Sequence, residues 1–129
     1  MKIYTLPELL EIVATLRSEN GCPWDREQTH ESMKVCLIEE CGEVIEAIDN
    51  KDDENLIEEL GDVFLQVLMH SQIAKEEGRF TFDDVVQVVS EKMIRRHPHV
   101  FGDAKAENAE EALGNWKAVK ALEKEKKKS

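Results

Sequence analysis

The segment from Leu60 to Ile73 is apolar on nearly every side of a helix, and this constrains the fold more than any other feature. Aliphatic and aromatic side chains occupy positions all around its helical wheel, so other helices are expected to cover most of its surface. Glycine and proline are few, and no long stretch alternates with a period of two. We therefore predict an all-α fold, an antiparallel bundle of about five helices with a core of four.

Capping and breaking signals divide the chain into these helices. Thr5 followed by Glu8 is a capping-box pattern that opens the first helix, and Pro23 is predicted to exclude a helix around it. Gly78 closes the third helix and Pro98 stops the fourth. The predicted helices cover about residues 5–19, 31–49, 54–77, 81–97 and 108 onward. The whole chain, residues 1–129, is predicted to be a single domain, with a basic tail at about 123–129 that forms a solvated helix end.

The overall charge restricts the classes of partner. A formal net charge of −11 argues against a general binder of nucleic acid or of anionic membranes. No apolar run reaches the length of a membrane span, and the N-terminus lacks the apolar region of a signal peptide. Three cysteines without framework or zinc-site spacing favour a reduced, cytoplasmic protein.

Two pairs of acids interrupt the apolar helical pattern. Glu40 and Glu43 lie three residues apart on the second predicted helix, and Glu59 and Asp62 repeat this spacing on the third. Each pair therefore projects from one side of its helix. An ionised carboxylate removed from water needs compensation, and too few basic residues accompany these four. Oxygen-only ligands predict a divalent cation, magnesium or manganese.

Two alternatives to an enzyme use the same acids. A carboxylate-bridged redox bundle requires Glu-x-x-His pairs, whereas Asp62 occupies the corresponding position and His70 lies two turns further on. A non-enzymatic helical interaction module, stabilised by the metal, is the other alternative. Taken singly, each acid is also compatible with an ordinary solvated helix surface.

Several blocks of sequence together resemble the MazG-like nucleoside triphosphate pyrophosphohydrolases, an all-α family. The resemblance extends from Leu6 to Lys120. The family pattern EExxE followed by ExxD reads here Glu39-Glu40-x-x-Glu43 and Glu59-x-x-Asp62. The flanking blocks are Gly21-Cys22-Pro23-Trp24-Asp25, Gln28-Thr29-His30 and Arg95-Arg96-His97-Pro98-His99-Val100-Phe101.

The resemblance implies magnesium-dependent hydrolysis of a nucleoside triphosphate to the monophosphate and pyrophosphate, in house-cleaning of the nucleotide pool. It implies that magnesium, with manganese as a substitute, is held by four acids: Glu40, Glu43, Glu59 and Asp62. Glu39 and Glu40 are the implied catalytic residues. Glu39 either orients or deprotonates the attacking water, or it supports the metal ligands.

Basic residues of the fourth helix are the implied phosphate ligands. Lys92 and Arg96 are four residues apart and share a helix face. Arg95 is also among the predicted substrate-binding residues, although it points away from this face by about 100°. Neither of the non-enzymatic alternatives requires such bases, so Lys92 and Arg96 favour the enzyme.

Two tryptophans and a lysine complete the predicted substrate site. Trp116, with Lys120 on the same last helix, either stacks on a base or packs in a core, and Trp24 is expected mainly to pack its loop against the bundle. The chain is expected to form a homodimer or a higher homo-oligomer, which completes the bundle and covers the apolar third helix. Trp116 and the C-terminal lysines of one chain then contribute to the pocket of the other.

Overall fold

The computed structural model describes residues 1–128, with side chains as far as Lys127, and it confirms the all-α prediction. No strand occurs within residues 1–128. Ser129, the last residue of the predicted basic tail, lies outside the described residues. The helices are α1 (Leu6–Leu16), α2 (Pro23–Glu27), α3 (Lys34–Asp49), α4 (Asp53–Glu76), α5 (Phe82–Arg96), α6 (Pro98–Phe101) and α7 (Ala109–Lys128).

The chain divides into two compact units, one from Met1 to Phe82 and one from Asp83 onward. The first contains α1 to α4, and its most extensive packing is between α3 and α4. The short connection of residues 50–52 between these two helices makes them antiparallel. The core of this unit is formed by Val13, Met33, Leu68, Met69 and Ile73, against which Leu9, Leu10, Leu65 and Phe82 pack.

The N-terminus of α1 is capped as its sequence predicts. The Thr5 hydroxyl accepts a hydrogen bond from the backbone N–H of Glu8, and the Glu8 carboxylate accepts one from the backbone N–H of Thr5. The helix ends at Leu16, earlier than predicted, because the chain turns back over its last carbonyl groups. A Cβ at Gly21 would collide with the carbonyl oxygens of Thr15 and Leu16, so this turn requires glycine.

Both predicted breaks at proline contain a short helix, which corrects the prediction that Pro23 excludes one. Pro23 is the first residue of α2, and Pro98 is the first residue of α6. The first N–H groups of a helix have no intrahelical acceptor, so proline loses nothing at this position. The five longer helices correspond to the five that the sequence predicts.

A buried arginine fixes the segment between α1 and α3. Arg17 is 8% exposed, and its Nε and Nη2 donate to the two carboxylate oxygens of Glu76 on α4, at 3.0 and 3.1 Å. Its Nη1 donates to the backbone carbonyls of Asp25 and Gln28. One guanidinium thus joins the end of α1, the short α2 and the last turn of α4.

Helix α4 is partly buried within the first unit and keeps an exposed apolar face, which a second copy of the chain is expected to cover. Leu68, Met69 and Ile73 are buried, whereas Leu60 is 51% exposed and Phe64 is 37% exposed. The helices of the first unit therefore leave an apolar face of α4 open. None of the helices within residues 1–128 is long and apolar enough to cross a membrane.

The second unit consists of most of α5 together with α6 and α7. Its last helix begins where the sequence predicts. The side-chain oxygen of Asn108 accepts a hydrogen bond from the backbone N–H of Glu111 at 2.9 Å, and the Glu111 carboxylate accepts one from the backbone N–H of Glu107 at 2.8 Å. The first bond satisfies a donor that the helix itself leaves open, and the second ties the residue before the cap to the first turn of α7.

Candidate active site

Four carboxylates of the first unit converge at the α3–α4 contact. Glu40 and Glu43 come from α3, and Glu59 and Asp62 come from α4. Each offers one oxygen, and the four oxygens all lie within 4.8 Å of one another. The spacing of three residues in each helix puts each pair on one face, and the packing of α3 on α4 turns the two faces together.

Two oxygens of this acidic cluster are buried without a hydrogen-bond donor. They are Oε2 of Glu40 and Oε2 of Glu59, neither of which has a partner among the described residues. Glu59 as a whole is only 9% exposed. A buried acceptor without a donor is costly, and an ionised one more so. Carboxylate oxygens gathered in this way match the ligands that divalent cations such as magnesium and calcium take in proteins.

The surroundings of the acidic cluster raise the pKa of two of its carboxyl groups, those of Glu40 and Glu59. Burial is the main reason why the pKa of Glu40 is raised, and the neighbouring charge of Glu43 adds to it. A hydrogen bond with the Glu43 carboxyl group, followed by burial and then by the charges of Glu43, Asp62 and Glu40, raises the pKa of Glu59 to about 7. The cluster therefore needs positive charge, either protons or a cation, and a cation fits its donor set.

Glu39, the other predicted catalytic acid, lies outside this group of four. It is exposed on α3, and its charge contributes to the raised pKa of Glu40. Glu58, the acid next to Glu59, is also exposed and is not one of the four. The spacing of three residues to Asp62 selects Glu59 over Glu58 in the sequence, and the burial of the two side chains agrees with this choice.

The predicted phosphate ligands of the second unit line one cavity of about 1000 Å³. Its charged lining residues are all basic except Glu123. The lining residues are Val88, Lys92, Arg95, Arg96, Val119, Lys120, Leu122, Glu123, Lys124, Lys126 and Lys127. The C-terminal lysines were predicted to form a solvated helix end. Lys124, Lys126 and Lys127 continue α7 and line this cavity, although their own side chains are exposed.

Trp116 is half-buried and carries two cations against its indole ring. The guanidinium carbon of Arg96 lies 5.4 Å from a ring centroid, and Nζ of Lys120 lies 4.8 Å from one. Both distances allow cation–π attraction to the indole. The two alternatives for Trp116, stacking on a base and packing in a core, stay predictions.

Trp24 does not pack as predicted, since it is 57% exposed. The segment that carries it is fixed through backbone carbonyls: Arg17 donates to those of Asp25 and Gln28, and Gln28 in turn donates to that of Trp24. These bonds make packing of the indole unnecessary for holding α2 in place. A contribution of Trp24 to substrate binding stays a prediction.

The sequence does not predict the roles of two residues, Arg17 in the first unit and Glu123 in the second. Arg17 follows Val13 by four residues, so it continues the buried stripe of α1, and this spacing was the available signal. Glu123 follows Trp116 and Lys120 by seven and three residues, which puts all three on one face of α7. Neither spacing reveals the distant partner, Glu76 in one case and the arginines of α5 in the other.

These features define a helical protein with a cluster of four carboxylates in its first unit and a basic cavity in its second. The chain belongs to the MazG family: residues 28–101 match the MazG nucleotide pyrophosphohydrolase domain. The matched range includes all four acids of the cluster and the basic residues of α5. It does not include Trp24, Trp116 or Lys120.

Several relatives are similar over nearly the whole chain. The nucleoside triphosphate pyrophosphohydrolase/pyrophosphatase MazG of Thermotoga maritima is 57% identical over 122 residues, which are 95% of this chain and 46% of that protein. The nucleoside triphosphate pyrophosphohydrolase of Escherichia coli K12 is 46% identical over 123 residues, 95% of this chain and 47% of the relative. The chain thus spans about half the length of these curated relatives.

A solved structure has the same fold. The crystal structure of a MazG-related protein from Thermotoga maritima superimposes with a TM-score of 0.74 at 34% identity, covering 90% of this chain and 99% of the other. The identity and the coverage together extend the likeness beyond the sequence motifs to the arrangement of the helices.

Proposed function

We propose that this chain hydrolyses nucleoside triphosphates to the monophosphate and pyrophosphate, as a house-cleaning enzyme of the nucleotide pool. The observation that carries the proposal is the convergence of four carboxylates within 4.8 Å, two of them with buried oxygens that lack donors. Membership of the MazG family and the names of the two pyrophosphohydrolase relatives support the same activity.

Glu40, Glu43, Glu59 and Asp62 are the proposed ligands of Mg²⁺, for which Mn²⁺ is a substitute. When bound, the cation would neutralise phosphate charge and lower the pKa of a coordinated water. Hard oxygen donors favour these two ions over softer metals. The raised pKa values of Glu40 and Glu59 mean that protons compete with the cation for these two groups.

Four further residues are proposed to position the attacking water and the triphosphate. Glu39, the exposed acid beside Glu40, is proposed to orient the attacking water or to accept its proton. The water attacks the α-phosphorus, the bond between the α-phosphorus and the bridging oxygen breaks, and pyrophosphate leaves. Lys92, Arg96 and Lys120 of the basic cavity are proposed to bind the triphosphate oxygens.

Pyrophosphate release from a mixture of nucleoside triphosphates tests this proposal. Wild type is expected to release pyrophosphate and monophosphate only when Mg²⁺ or Mn²⁺ is present. Glu59→Gln and Asp62→Asn are expected to lose most turnover while their helical circular dichroism is unchanged. Glu58→Gln is the matched control, because this exposed acid lies beside Glu59 but outside the cluster.

Two results would contradict the proposal. Release of orthophosphate and nucleoside diphosphate would place the attack at the wrong phosphorus. Stabilisation by Mg²⁺ without hydrolysis of any triphosphate would instead favour a metal-stabilised interaction module.

A further inference from the structure

Glu123 of α7 holds two neighbouring arginines of α5. Its Oε1 accepts hydrogen bonds from Nε and Nη2 of Arg95, at 3.0 and 2.8 Å. Both of its oxygens accept from Nε of Arg96, at 3.3 and 3.2 Å. The side chains of Glu123 and Arg96 are 18% and 16% exposed, whereas that of Arg95 is 49% exposed, so solvent reaches the clamp mainly on the Arg95 side.

The two arginines use their guanidinium groups differently. Arg95 donates to the Glu123 carboxylate from Nε and from Nη2. Arg96 donates to the Glu123 carboxylate from Nε alone. Its terminal nitrogens donate to no residue within the described part of the chain. Arg96 also lies against Trp116, 5.4 Å from a ring centroid, and its side chain is 16% exposed. One edge of its guanidinium is therefore fixed, and the other remains available to an anion.

Without an acid at position 123, the guanidiniums of Arg95 and Arg96 would repel each other, and the Arg96 side chain would have to be ordered when substrate binds. The Glu123 carboxylate neutralises this repulsion and orders Arg96 before the substrate arrives. It remains ionised at neutral pH, because hydrogen bonds from Arg95, reinforced by Arg96 and opposed by burial, hold the pKa of Glu123 below its usual range. Its charge is shared by two guanidiniums, which limits its repulsion of an incoming phosphate.

We propose that Glu123 is a positioning residue, which orients Arg96 for a phosphate group, and that Arg95 belongs to this clamp and not to the phosphate ligands. The inference rests on the proposed function in one respect, the binding of the triphosphate in the basic cavity. It revises the role that sequence resemblance suggests for Arg95, and it assigns one to an acid that lies outside the matched family range.

Steady-state kinetics of Glu123→Gln test the proposal, with Glu125→Gln as the matched control. Glu125 is an exposed acid two residues further along α7 that does not line the cavity. Glu123→Gln is expected to raise KM about tenfold while kcat changes by less than about twofold, because positioning acts through ground-state binding. Titration calorimetry with inorganic tripolyphosphate is expected to show a matching loss of affinity. The control should change neither quantity.

A double-mutant cycle separates positioning from a purely structural role. Once Arg96→Ala has removed the positioned group, Glu123→Gln is expected to add less than about a twofold effect. Arg95→Ala alone is expected to reproduce part of the Glu123→Gln defect, and it replaces that variant in the test if Glu123→Gln fails to fold. Additive losses, an unchanged KM, or a KM that falls because the carboxylate competes with phosphate would overturn the proposal.

The two measurements distinguish failure of this inference from failure of the proposed function. Wild type that binds tripolyphosphate through the clamp but hydrolyses no nucleoside triphosphate refutes the function and leaves the clamp intact. Hydrolysis by Glu123→Gln with an unchanged KM and an unchanged affinity for tripolyphosphate refutes the clamp and leaves the function intact. Wild type that does not bind tripolyphosphate overturns the inference.

Discussion

Nδ1 of His30 lies 2.7 Å from Nδ1 of His70, and the two imidazole rings are stacked within 3° of parallel. One of these nitrogens must donate and the other accept. Nη2 of Arg79 contacts Nε2 of His30, and a guanidinium can only donate, so that nitrogen carries no proton. A His30 tautomer with its proton on Nδ1, which donates to Nδ1 of His70, satisfies both contacts.

This pair predicts a loss of stability in acid. Burial, and then the charge of His30, lower the pKa of His70 below its usual 6.5. The unfolded chain consequently binds more protons than the folded chain, and the free energy of unfolding should fall as the pH drops below about 6.5. Urea denaturation at a series of pH values measures this. His70→Gln should show a flatter slope between pH 7 and 5, and equal slopes would contradict the assignment.

The Arg17–Glu76 pair predicts unequal effects of removing either partner. Arg17→Met should cost about 2–4 kcal/mol, because two backbone carbonyls and a carboxylate lose a buried donor. Glu76→Gln should cost only about 1 kcal/mol, since this side chain is 38% exposed and water can replace part of the interaction. Denaturant unfolding of the metal-free protein compares them. A larger loss in the free energy of unfolding for Glu76→Gln than for Arg17→Met would contradict this prediction.

Metal binding should appear in stability as well as in activity. Wild type is expected to gain about 2.7 kcal/mol at a Mg²⁺ concentration one hundred times the Kd. Glu59→Gln should melt at the same or a higher temperature than wild type without metal, because it removes a buried carboxylate from a cluster of like charges. It should gain little from Mg²⁺. Differential scanning calorimetry with Glu58→Gln as control checks both statements.

Lys92→Ala and Arg96→Ala should weaken triphosphate binding more than Mg²⁺ binding. Both residues line the basic cavity of the second unit, whereas the proposed metal ligands belong to the first. Loss of a charge-assisted hydrogen bond to phosphate should cost about 1.5–3 kcal/mol in nucleotide affinity. Calorimetric titrations of each variant with Mg²⁺ and with tripolyphosphate measure the two affinities separately. Equal losses of both would indicate general disruption.

The protein should form a homodimer through the open apolar surfaces of α3 and α4. Ile38 of α3 is 73% exposed and Ile57 of α4 is 74% exposed, and a Cβ added at Gly61 would meet no atom within 4 Å. A second copy packed there would cover these residues. Sedimentation equilibrium at micromolar concentration should give twice 14.8 kDa. Ile57→Lys should shift the protein toward monomer, whereas Ile3→Lys should not, and a fully active wild-type monomer would refute the dimer.

Local sequence determines much of this fold. The capping box at Thr5 and Glu8 and the cap at Asn108 depend only on residues within one turn, so the structure reproduces them where the sequence predicts. The spacing of the acids in α3 and α4 is equally local, because a helix puts residues three apart on one face whatever surrounds it. The resemblance to a family, carried by these same motifs, supplied the proposed activity.

Only tertiary structure decides which of these residues act together. Helical spacing puts Glu59 on the face of Asp62, but only the packing of α3 on α4 brings this pair against Glu40 and Glu43. Arg17 bonds to Glu76, which lies 59 residues away in the sequence, and Arg95 bonds to Glu123, which lies 28 residues away. Helical periodicity predicts the face on which a side chain lies, but the partner on that face depends on how distant segments pack, which no local pattern encodes.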